Sequence, residues 1–311
     1  MTHDDAMRYL TEKHPGADIK YIGSGTDSTA FRVDGRVFRF PHNTTDIYDK
    51  EAAVCDLIRE RVSVPVPRIE IIHDGDVFCV AHEMIQGGKW SWHKFMWQPA
   101  RQRRLADSCA RFLAELHSID ATTAMRTVPA LREQIPFCDF SDVADYFKRF
   151  MSPRQMRVFQ KNYERIIGAA VPSCDMRLVH MGLKGPNSVV GADGVLCGVF
   201  DFGSCGIYER WRDLELFYLA KNAALYRRVR KTYARLSGRL IPRGRIEDLA
   251  VIEFLWRKRL YPKGQFEPRN DHFMMKNIAA ALTRFYGLPR CFYWFVYMGL
   301  SMRCRRTGKR A

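Results

Sequence analysis

The 311-residue chain lacks an apolar run long enough to cross a membrane. Its longest nearly unbroken apolar stretch runs from Cys291 to Met302, about a dozen residues, whereas a spanning helix needs about 20. We therefore predict that this stretch is a buried helix. The first residues, Met1 to Asp5, lack a basic segment followed by an apolar one, so no signal peptide is evident and a cytoplasmic protein is expected.

Paired cysteine motifs are absent as well. The nine cysteines are scattered along the chain, and none forms a CxxC pair or a metal-finger spacing. Reduced thiols that pack as small apolar side chains are therefore expected. With 47% hydrophobic residues and no visible repeat, the chain can bury a sizeable core.

Acidic residues are scarce in the last third of the chain. Residues 217–311 hold 22 Lys or Arg but only five Asp or Glu, whereas residues 1–216 hold 28 and 29. The net charge of +16 therefore belongs to this last third. Either this surface contacts nucleic acid, an anionic membrane or another anionic partner, or it is a solvated basic face of helices.

Predicted strands come first along the chain, and predicted helices follow. After a short N-terminal helix, residues 19–41 alternate like strands, and Asp34-Gly35 is a hairpin signal. Helical spacing over residues 47–60 precedes two further strands, at 69–72 and 77–83.

Long helices begin at about residue 100 and are interrupted by short strands at 178–179, 188–190 and 196–200. The last helices are predicted at 213–236, 246–260, 271–286 and 290–303. This order predicts an α+β, bilobal fold. The N-terminal lobe (residues 1–86) contains a small antiparallel sheet and one helix, and the C-terminal lobe (residues 87–311) is larger and mainly helical.

A glycine-containing loop, a cation and an acid follow one another in the N-terminal lobe. Glycines allow backbone amides to approach phosphate oxygens, and the candidate loop residues are Gly23, Ser24, Gly25 and Ser28. Arg39 lies on a later strand, and Glu51 lies in the helix twelve residues further on. Each feature alone also fits a tight turn or a surface charge, but their order and spacing favour a phosphate-binding set.

The stretch from His180 to Gly203 is the most informative part of the sequence. Asp201, in the sequence Asp-Phe-Gly, follows Asn187 by 14 residues across a predicted strand–turn–strand. A carboxylate and an amide oxygen at the ends of adjacent strands can share Mg²⁺ that is bound to triphosphate oxygens. The stretch therefore predicts binding of magnesium and a nucleoside triphosphate.

With these residues the chain resembles the aminoglycoside phosphotransferase family, a branch of the protein-kinase-like superfamily. The resemblance extends from about Tyr21 to Leu216 and is greatest to the 2″-phosphotransferase type. The segments that carry it are Val37–Pro41, the helix with Glu51, Val64–Pro67, Phe112–His117 and His180-Met181 leading to Asn187. It implies a bilobal protein-kinase-like fold, in which the N-terminal lobe has one αC-like helix.

The resemblance also implies an activity: transfer of the γ-phosphoryl group of ATP or GTP to a hydroxyl of a small-molecule acceptor. Asn187 and Asp201 would then bind Mg²⁺, and Arg39 and Glu51 would form the phosphate-holding pair.

Further roles follow from the same resemblance. Residues 82–86, with Glu83 and Ile85, would be the hinge that contacts the base. Asp213 would steady the catalytic loop, and His180 would be a scaffold residue within it.

One position departs from the family pattern His-x-Asp-x-x-x-x-Asn, because Gly182 stands where the family has its catalytic aspartate. Glycine cannot orient or deprotonate an acceptor hydroxyl, and general-base assistance is worth about 10²–10⁴-fold. Transfer is not excluded, since positioning and electrostatics supply most of the acceleration in such reactions. Asp175 and Lys184 are near in sequence, but neither can be placed at the missing position.

Three functions stay open at this point. The chain is an enzyme of this type, a pseudokinase that binds nucleotide without efficient transfer, or a module whose basic last third binds nucleic acid or another anionic partner. An aminoglycoside acceptor is disfavoured, because a polycation is usually held by acids, which are few in residues 217–311.

A thermal-shift titration with ATP, GTP and Mg²⁺ tests the nucleotide site before any acceptor is known. We expect a clear stabilisation, since a ligand at 100 times its Kd adds about 2.7 kcal/mol to the unfolding free energy. A flat response to both nucleotides would leave only the anionic-partner hypothesis.

Overall fold

The computed structural model describes residues 1–25, 27–132, 139–149, 151–220, 222–250 and 268–308. The chain divides into two compact units. The first comprises residues 1–134, 174–213 and 222–240, and the second comprises residues 135–173, 214–221 and 241–311. The predicted lobe boundary between residues 86 and 87 is a different division and stays a prediction.

A five-stranded antiparallel sheet forms the N-terminal part of the first unit. Its strands are β1 (Ile19–Ser24), β2 (Ser28–Val33), β3 (Arg36–Pro41), β4 (Glu70–Asp74) and β5 (Val77–Glu83), in the order β1-β2-β3-β5-β4. The predicted hairpin is confirmed, since Asp34 and Gly35 connect β2 to β3 and Asp34 adopts a φ of 51°. Asp tolerates this left-handed conformation better than most residues.

Helix α1 (His3–Lys13) covers one face of this sheet. It starts with a capping box, in which the Thr2 hydroxyl and the Asp5 backbone and carboxylate bond reciprocally. Its buried residues join the alternate inward-facing side chains of the strands in one apolar cluster: Ala6, Leu10, Phe31, Val33, Phe38, Phe40, Cys79 and Ala81. Helix α2 (Asp46–Ile58) is the predicted αC-like helix, and Glu51 is buried on it.

The rest of the first unit is built around helix α3 (Pro99–Leu116), which ends at His117. Two short antiparallel pairs lie beyond it: β6 (Met176–Val179) with β9 (Gly206–Glu209), and β7 (Ser188–Val190) with β8 (Leu196–Val199). Strand β9 was not predicted, because its sequence Gly-Ile-Tyr-Glu is too short to show periodicity.

Three further helices precede β6: α4 (Ala121–Thr127), α5 (Phe140–Phe147) and α6 (Pro153–Ile167). In the second unit, α5 and α6 share an aromatic cluster in which Phe140 stacks on Phe147 with ring centroids 5.9 Å apart. Phe159 and Tyr163 complete the cluster.

The helix predicted over 213–236 is in fact two helices, α7 (Arg212–Leu219) and α8 (Ala223–Ser237). The break occurs because Asn222 is an N-cap: its side-chain oxygen accepts from the Leu225 N–H at 3.1 Å. Its amide nitrogen also donates to the Trp92 carbonyl at 2.7 Å. The apolar periodicity of this region does not reveal such a cap.

The last predicted helices are confirmed in outline as Pro268–Phe285 and Tyr293–Gly308. Residues 245–250 are helical, and the remainder of the helix predicted at 246–260 lies outside the described residues.

The prediction that Cys291 to Met302 is helical is confirmed from Tyr293 onward, but the prediction that this helix is buried is wrong. The segment is helical from Tyr293, but Trp294 is 60% exposed and Phe295 is 74% exposed. One side, with the fully buried Leu300, packs inward, and the other side carries large apolar residues in solvent. Hydrophobicity alone does not tell which faces of a helix find a partner.

No helix within the described ranges is long and apolar enough to cross a membrane.

The break between α7 and α8 gives a stability test. Asn222→Ala removes the acceptor of the α8 cap and should lower the unfolding free energy by about 1 kcal/mol. Asn222→Asp keeps the acceptor and should recover most of that loss in a denaturant titration. Equal losses in the two variants would show that the amide donation to Trp92, and not the cap, stabilises this break.

Candidate functional site

The glycine-containing loop joins β1 to β2 and is held by short hydrogen bonds. The Gly25 N–H donates to the Ser28 carbonyl at 2.9 Å. Ser24 Oγ lies 3.3 Å from Nε2 of His42, a residue that follows β3. The β1–β2 pairing shifts register between Tyr21 and Gly23, which indicates a bulge at the start of the loop.

Arg39 and Glu51 form the ion pair expected from the sequence. Arg39 Nη2 donates to Glu51 Oε2 at 2.7 Å, and the two side chains are 16% and 2% exposed. The guanidinium also lies 5.2 Å from the ring centroid of Tyr48, on the same helix as Glu51. Burial alone would lower the pKa of Arg39, but the Glu51 carboxylate outweighs it and raises the pKa.

The second oxygen of Glu51 reaches the Asp-Phe-Gly segment. Glu51 Oε1 accepts a hydrogen bond from the Phe202 N–H at 3.2 Å. Gly203 packs closely on α2 beside it, since a Cβ at this position would lie 2.7 Å from Ile47 Cδ1 and would require that side chain to move. One carboxylate therefore binds both the cation of β3 and the backbone next to Asp201.

His180 is buried and neutral within the loop after β6. Its Nε2 donates to the Phe200 carbonyl at 3.2 Å, and its Nδ1 accepts from the Gly182 N–H at 3.1 Å. These partners require the tautomer that is protonated on Nε2. Burial lowers the pKa of this imidazole, so the ring stays uncharged at neutral pH.

Asp213 holds the backbone of this loop. Its carboxylate accepts from the N–H groups of His180 at 2.8 Å and Met181 at 2.7 Å. Met181 adopts a φ of 63°, an unusual value for a residue other than glycine. The two hydrogen bonds stabilise this conformation. Although burial opposes ionisation, the hydrogen bond from His117 outweighs it and lowers the pKa of Asp213.

A third residue completes the support of the loop, and sequence reasoning assigned it no role. His117, at the end of α3, donates from Nε2 to Asp213 at 3.0 Å. Its Nδ1 accepts from the Tyr233 hydroxyl on α8 at 2.8 Å. Burial lowers the pKa of His117. The signal was available in the segment Phe112–His117, where a histidine ends an amphipathic helix.

Asn187 and Asp201, the residues predicted to bind a metal ion, lie just before β7 and just after β8. Asn187 Nδ2 donates to the Gly182 carbonyl at 3.1 Å, which orients the amide and leaves its oxygen for another ligand. Burial, followed by the nearby Glu51 charge, raises the pKa of Asp201, while His180, Arg39 and Lys184 act in the opposite direction.

This donor set fits magnesium. An amide oxygen and a carboxylate can bind Mg²⁺ when phosphates supply its other ligands. A site built from three or more His, Cys, Asp or Glu does not occur among the described residues.

Gly182 is packed against the same asparagine. A Cβ at position 182 would lie 3.0 Å from Asn187 Nδ2 and 3.4 Å from His180 Nδ1. A Cβ at this position therefore requires the Asn187 amide to shift by a few tenths of an ångström. Asp175 does not replace the missing carboxylate, because it lies at the far end of β6 and pairs with Arg210 at 3.5 Å.

The predicted hinge lies at the end of β5 and packs on the β7–β8 pair. Glu83 is exposed, and its carbonyl accepts from His82 Nδ1 at 2.9 Å. Ile85 lies over Gly198, where a Cβ would come within 2.3 Å of the isoleucine Cγ2. Gly88 and Val190 exchange backbone hydrogen bonds of 2.8 and 3.1 Å, which join the hinge segment to β7. Ile85 thus contributes an apolar surface at this position.

Comparison with protein families agrees with this geometry. The model of the phosphotransferase enzyme family matches residues 18–246, which include every residue described above from Gly23 to Tyr233. The chain belongs to the phosphotransferase enzyme family. The family expected from the sequence is thereby confirmed. No curated protein matches the sequence itself at a significant level.

Solved structures of phosphotransferases share the fold at low sequence identity. The GDP and kanamycin complex of APH(2″)-IIIa has a TM-score of 0.68 and 18% identity, over 91% of this chain and 98% of that one. The streptomycin and ATP complex of APH(2″)-IIa has a TM-score of 0.61 and 17% identity, over 91% and 97%. Macrolide 2′-phosphotransferase MphH from Brachybacterium faecium has a TM-score of 0.59 and 18% identity, over 95% and 98%.

The buried histidine His117 gives a pH test. The pKa of His117 is lower in the folded protein than its ordinary value of about 6.5. The neutral imidazole therefore contributes its full stability above about pH 6.5, and this contribution is lost as the pH falls below about 6.5. His117→Gln keeps a donor to Asp213 but cannot titrate. The unfolding free energy of the wild type should therefore fall more steeply below this pH than that of the variant, by about 1.4 kcal/mol per pH unit.

His93→Gln, a change on the surface, is the control and should follow the wild type. Parallel curves for the wild type and His117→Gln in denaturant titrations across this range would show that His117 is not held neutral.

Proposed function

We propose that this chain binds a magnesium nucleoside triphosphate and transfers its γ-phosphoryl group to a hydroxyl of a small molecule. Within the family shown above, the observation that carries the proposal is the double use of Glu51. Its carboxylate pairs with Arg39 and accepts from the Phe202 N–H. Phosphoryl transfer depends chiefly on such positioning and on charge neutralisation.

Arg39 is the residue that would contact the phosphates. One of its guanidinium nitrogens is committed to Glu51, whereas its buried Nε has no hydrogen-bond partner among the described residues. The glycine-containing loop, with Gly23, Ser24, Gly25 and Ser28, would supply backbone amides to the same phosphates. One of the similar structures is a GDP complex and another is an ATP complex, so either donor is compatible with this fold.

Asn187 and Asp201 would hold the magnesium ion. When bound, the ion neutralises charge on the triphosphate and favours a roughly in-line displacement. Lys184 is close enough to lower the pKa of Asp201 and would add a second positive charge near the transferred group. Ile85 and the rest of the predicted hinge would contact the base.

In the transfer, the acceptor oxygen forms a bond to the γ-phosphorus and the bond from that phosphorus to the β-phosphate oxygen breaks. The nucleoside diphosphate leaves, and the proton of the acceptor hydroxyl must be released. Gly182 offers no group for that proton, so it passes to solvent or to a phosphate oxygen. We therefore infer that transfer is about 10²–10⁴-fold slower than it would be with a general base at this position.

The acceptor is inferred to be neutral or anionic. Kanamycin, streptomycin and gentamicin accompany the similar enzymes in their structures, and these are polycations. The last 95 residues of this chain, with 22 cations and five acids, would repel such a molecule.

The second candidate is a pseudokinase, and the packing at Gly182 favours it. The Asn187 amide donates to the Gly182 carbonyl and approaches the space that an aspartate side chain would enter. The two candidates share the nucleotide site and differ in chemistry alone.

A single set of variants separates the two candidates. Purified wild type, Asp201→Asn and Gly182→Asp are assayed for nucleoside diphosphate release and for labelled phosphate on a panel of neutral, anionic and cationic hydroxyl compounds. The enzyme hypothesis expects acceptor-stimulated transfer by the wild type and its loss in Asp201→Asn. Gly182→Asp should then raise the rate by about 10²–10⁴-fold.

The matched control is Asp193→Asn, an aspartate in the β7–β8 turn whose oxygen accepts from the Val195 N–H. It should keep wild-type rates and nucleotide affinity. Nucleotide binding without transfer in the wild type, with activity in Gly182→Asp, would identify a pseudokinase. Binding without transfer in every variant would overturn the enzyme hypothesis.

A further inference from the structure

The helix Tyr293–Gly308 carries a stripe of large apolar side chains in solvent. Trp294, Phe295, Met298 and Met302 are 60%, 74%, 57% and 54% exposed. We call these four residues the exposed stripe. At about 100° of rotation per residue they fall within an arc of about 100° on one side of the helix.

The opposite side of this helix is the one that packs. Leu300 is fully buried, and Val296 and Tyr297 are half-buried. This side meets the helix Pro268–Phe285 within the second unit. Packing of the helix is therefore satisfied without the exposed stripe, and a contiguous apolar face of this kind marks an interaction surface.

Charge distinguishes among the partners that such a surface could have. Residues 272–311 contain eight Lys or Arg and no Asp or Glu. The sequence after the stripe includes Arg303, Arg305, Arg306, Lys309 and Arg310. An apolar face with Trp and Phe next to a cluster of cations is the composition of helices that lie on anionic membranes.

We propose that this helix docks the protein on the surface of an anionic lipid bilayer. The exposed stripe enters the boundary between headgroups and acyl chains, where Trp is favoured. The excess of Lys and Arg in residues 272–311 favours an anionic bilayer over an uncharged one. The helix has 16 residues, about 24 Å at 1.5 Å per residue, so it lies along the membrane surface with its opposite side still packed on the protein.

Two other occupants are disfavoured by the same observations. A two-fold contact through this helix in a second copy would set one basic segment against another, because residues 272–311 hold eight cations and no acids. A nucleic acid needs cations interleaved with the stacking rings, whereas the exposed stripe consists of Trp, Phe and Met alone. A bilayer with anionic headgroups can bury the exposed stripe and also attract the Lys and Arg residues of this segment.

The experiment is flotation of the full chain with phosphatidylcholine vesicles, with and without phosphatidylserine. We expect flotation with the phosphatidylserine vesicles and a steep loss of flotation as salt is raised. The double variant Trp294→Ser/Phe295→Ser should weaken binding at least about tenfold, because two large apolar side chains no longer enter the bilayer. Arg305→Gln/Arg306→Gln should weaken it about fivefold per cation.

The matched control is Trp97→Ser, since Trp97 is 87% exposed and lies outside the second unit. It should float like the wild type, and all variants should keep the wild-type melting temperature. Equal binding to uncharged vesicles, or unchanged binding by the stripe variant, would overturn the proposal.

Two further measurements identify the disfavoured partners. Light scattering that shows a dimer dissociated by Trp294→Ser/Phe295→Ser would assign the stripe to a second copy. Binding of a single-stranded oligonucleotide that the same variant abolishes would assign it to nucleic acid. Either result, without flotation, overturns membrane docking.

Discussion

The carboxylate of Glu51 is shared between two distant parts of the chain, and the geometry of the candidate nucleotide site depends on it. One oxygen takes the guanidinium of Arg39 from the sheet, and the other takes the backbone N–H of Phe202. A carboxylate that is 2% exposed must be paired, since an unpaired buried charge is costly. The ion pair therefore holds α2 against β3 and, at the same time, positions the backbone beside Asp201.

A second buried carboxylate, that of Asp213, holds the backbone of the loop that contains Gly182. Asp213 binds two consecutive backbone N–H groups and is itself held by His117, which in turn accepts from Tyr233. All members of this chain of hydrogen bonds are satisfied, which is the condition for a buried polar network to be stabilising. The hydrogen bonds that support this loop are thus complete around Gly182, which carries no carboxylate.

Several of these residues were predictable because their partners are close in sequence or follow a regular spacing. Arg39 and Glu51 are separated by twelve residues across one turn and one helix, and Asp34-Gly35 forms a two-residue hairpin. His117 and Tyr233 were not predicted, because they are 116 residues apart and meet only where α3 packs against α8. The cap at Asn222 and strand β9 were missed for a different reason: each is shorter than the window over which periodicity can be read.

The sequence by itself predicted the broad order of strands and helices, the candidate ligands Asn187 and Asp201, and a glycine at position 182 where the resembling family has an aspartate. It also determined the basic excess of the last third. Local patterns suffice for these, because each depends on residue type and spacing. The tertiary structure decided which oxygen of Glu51 meets which donor, which tautomer His180 adopts, and that the apolar segment after Cys291 exposes one face. Those outcomes depend on contacts between segments far apart in the chain, and no local pattern contains them.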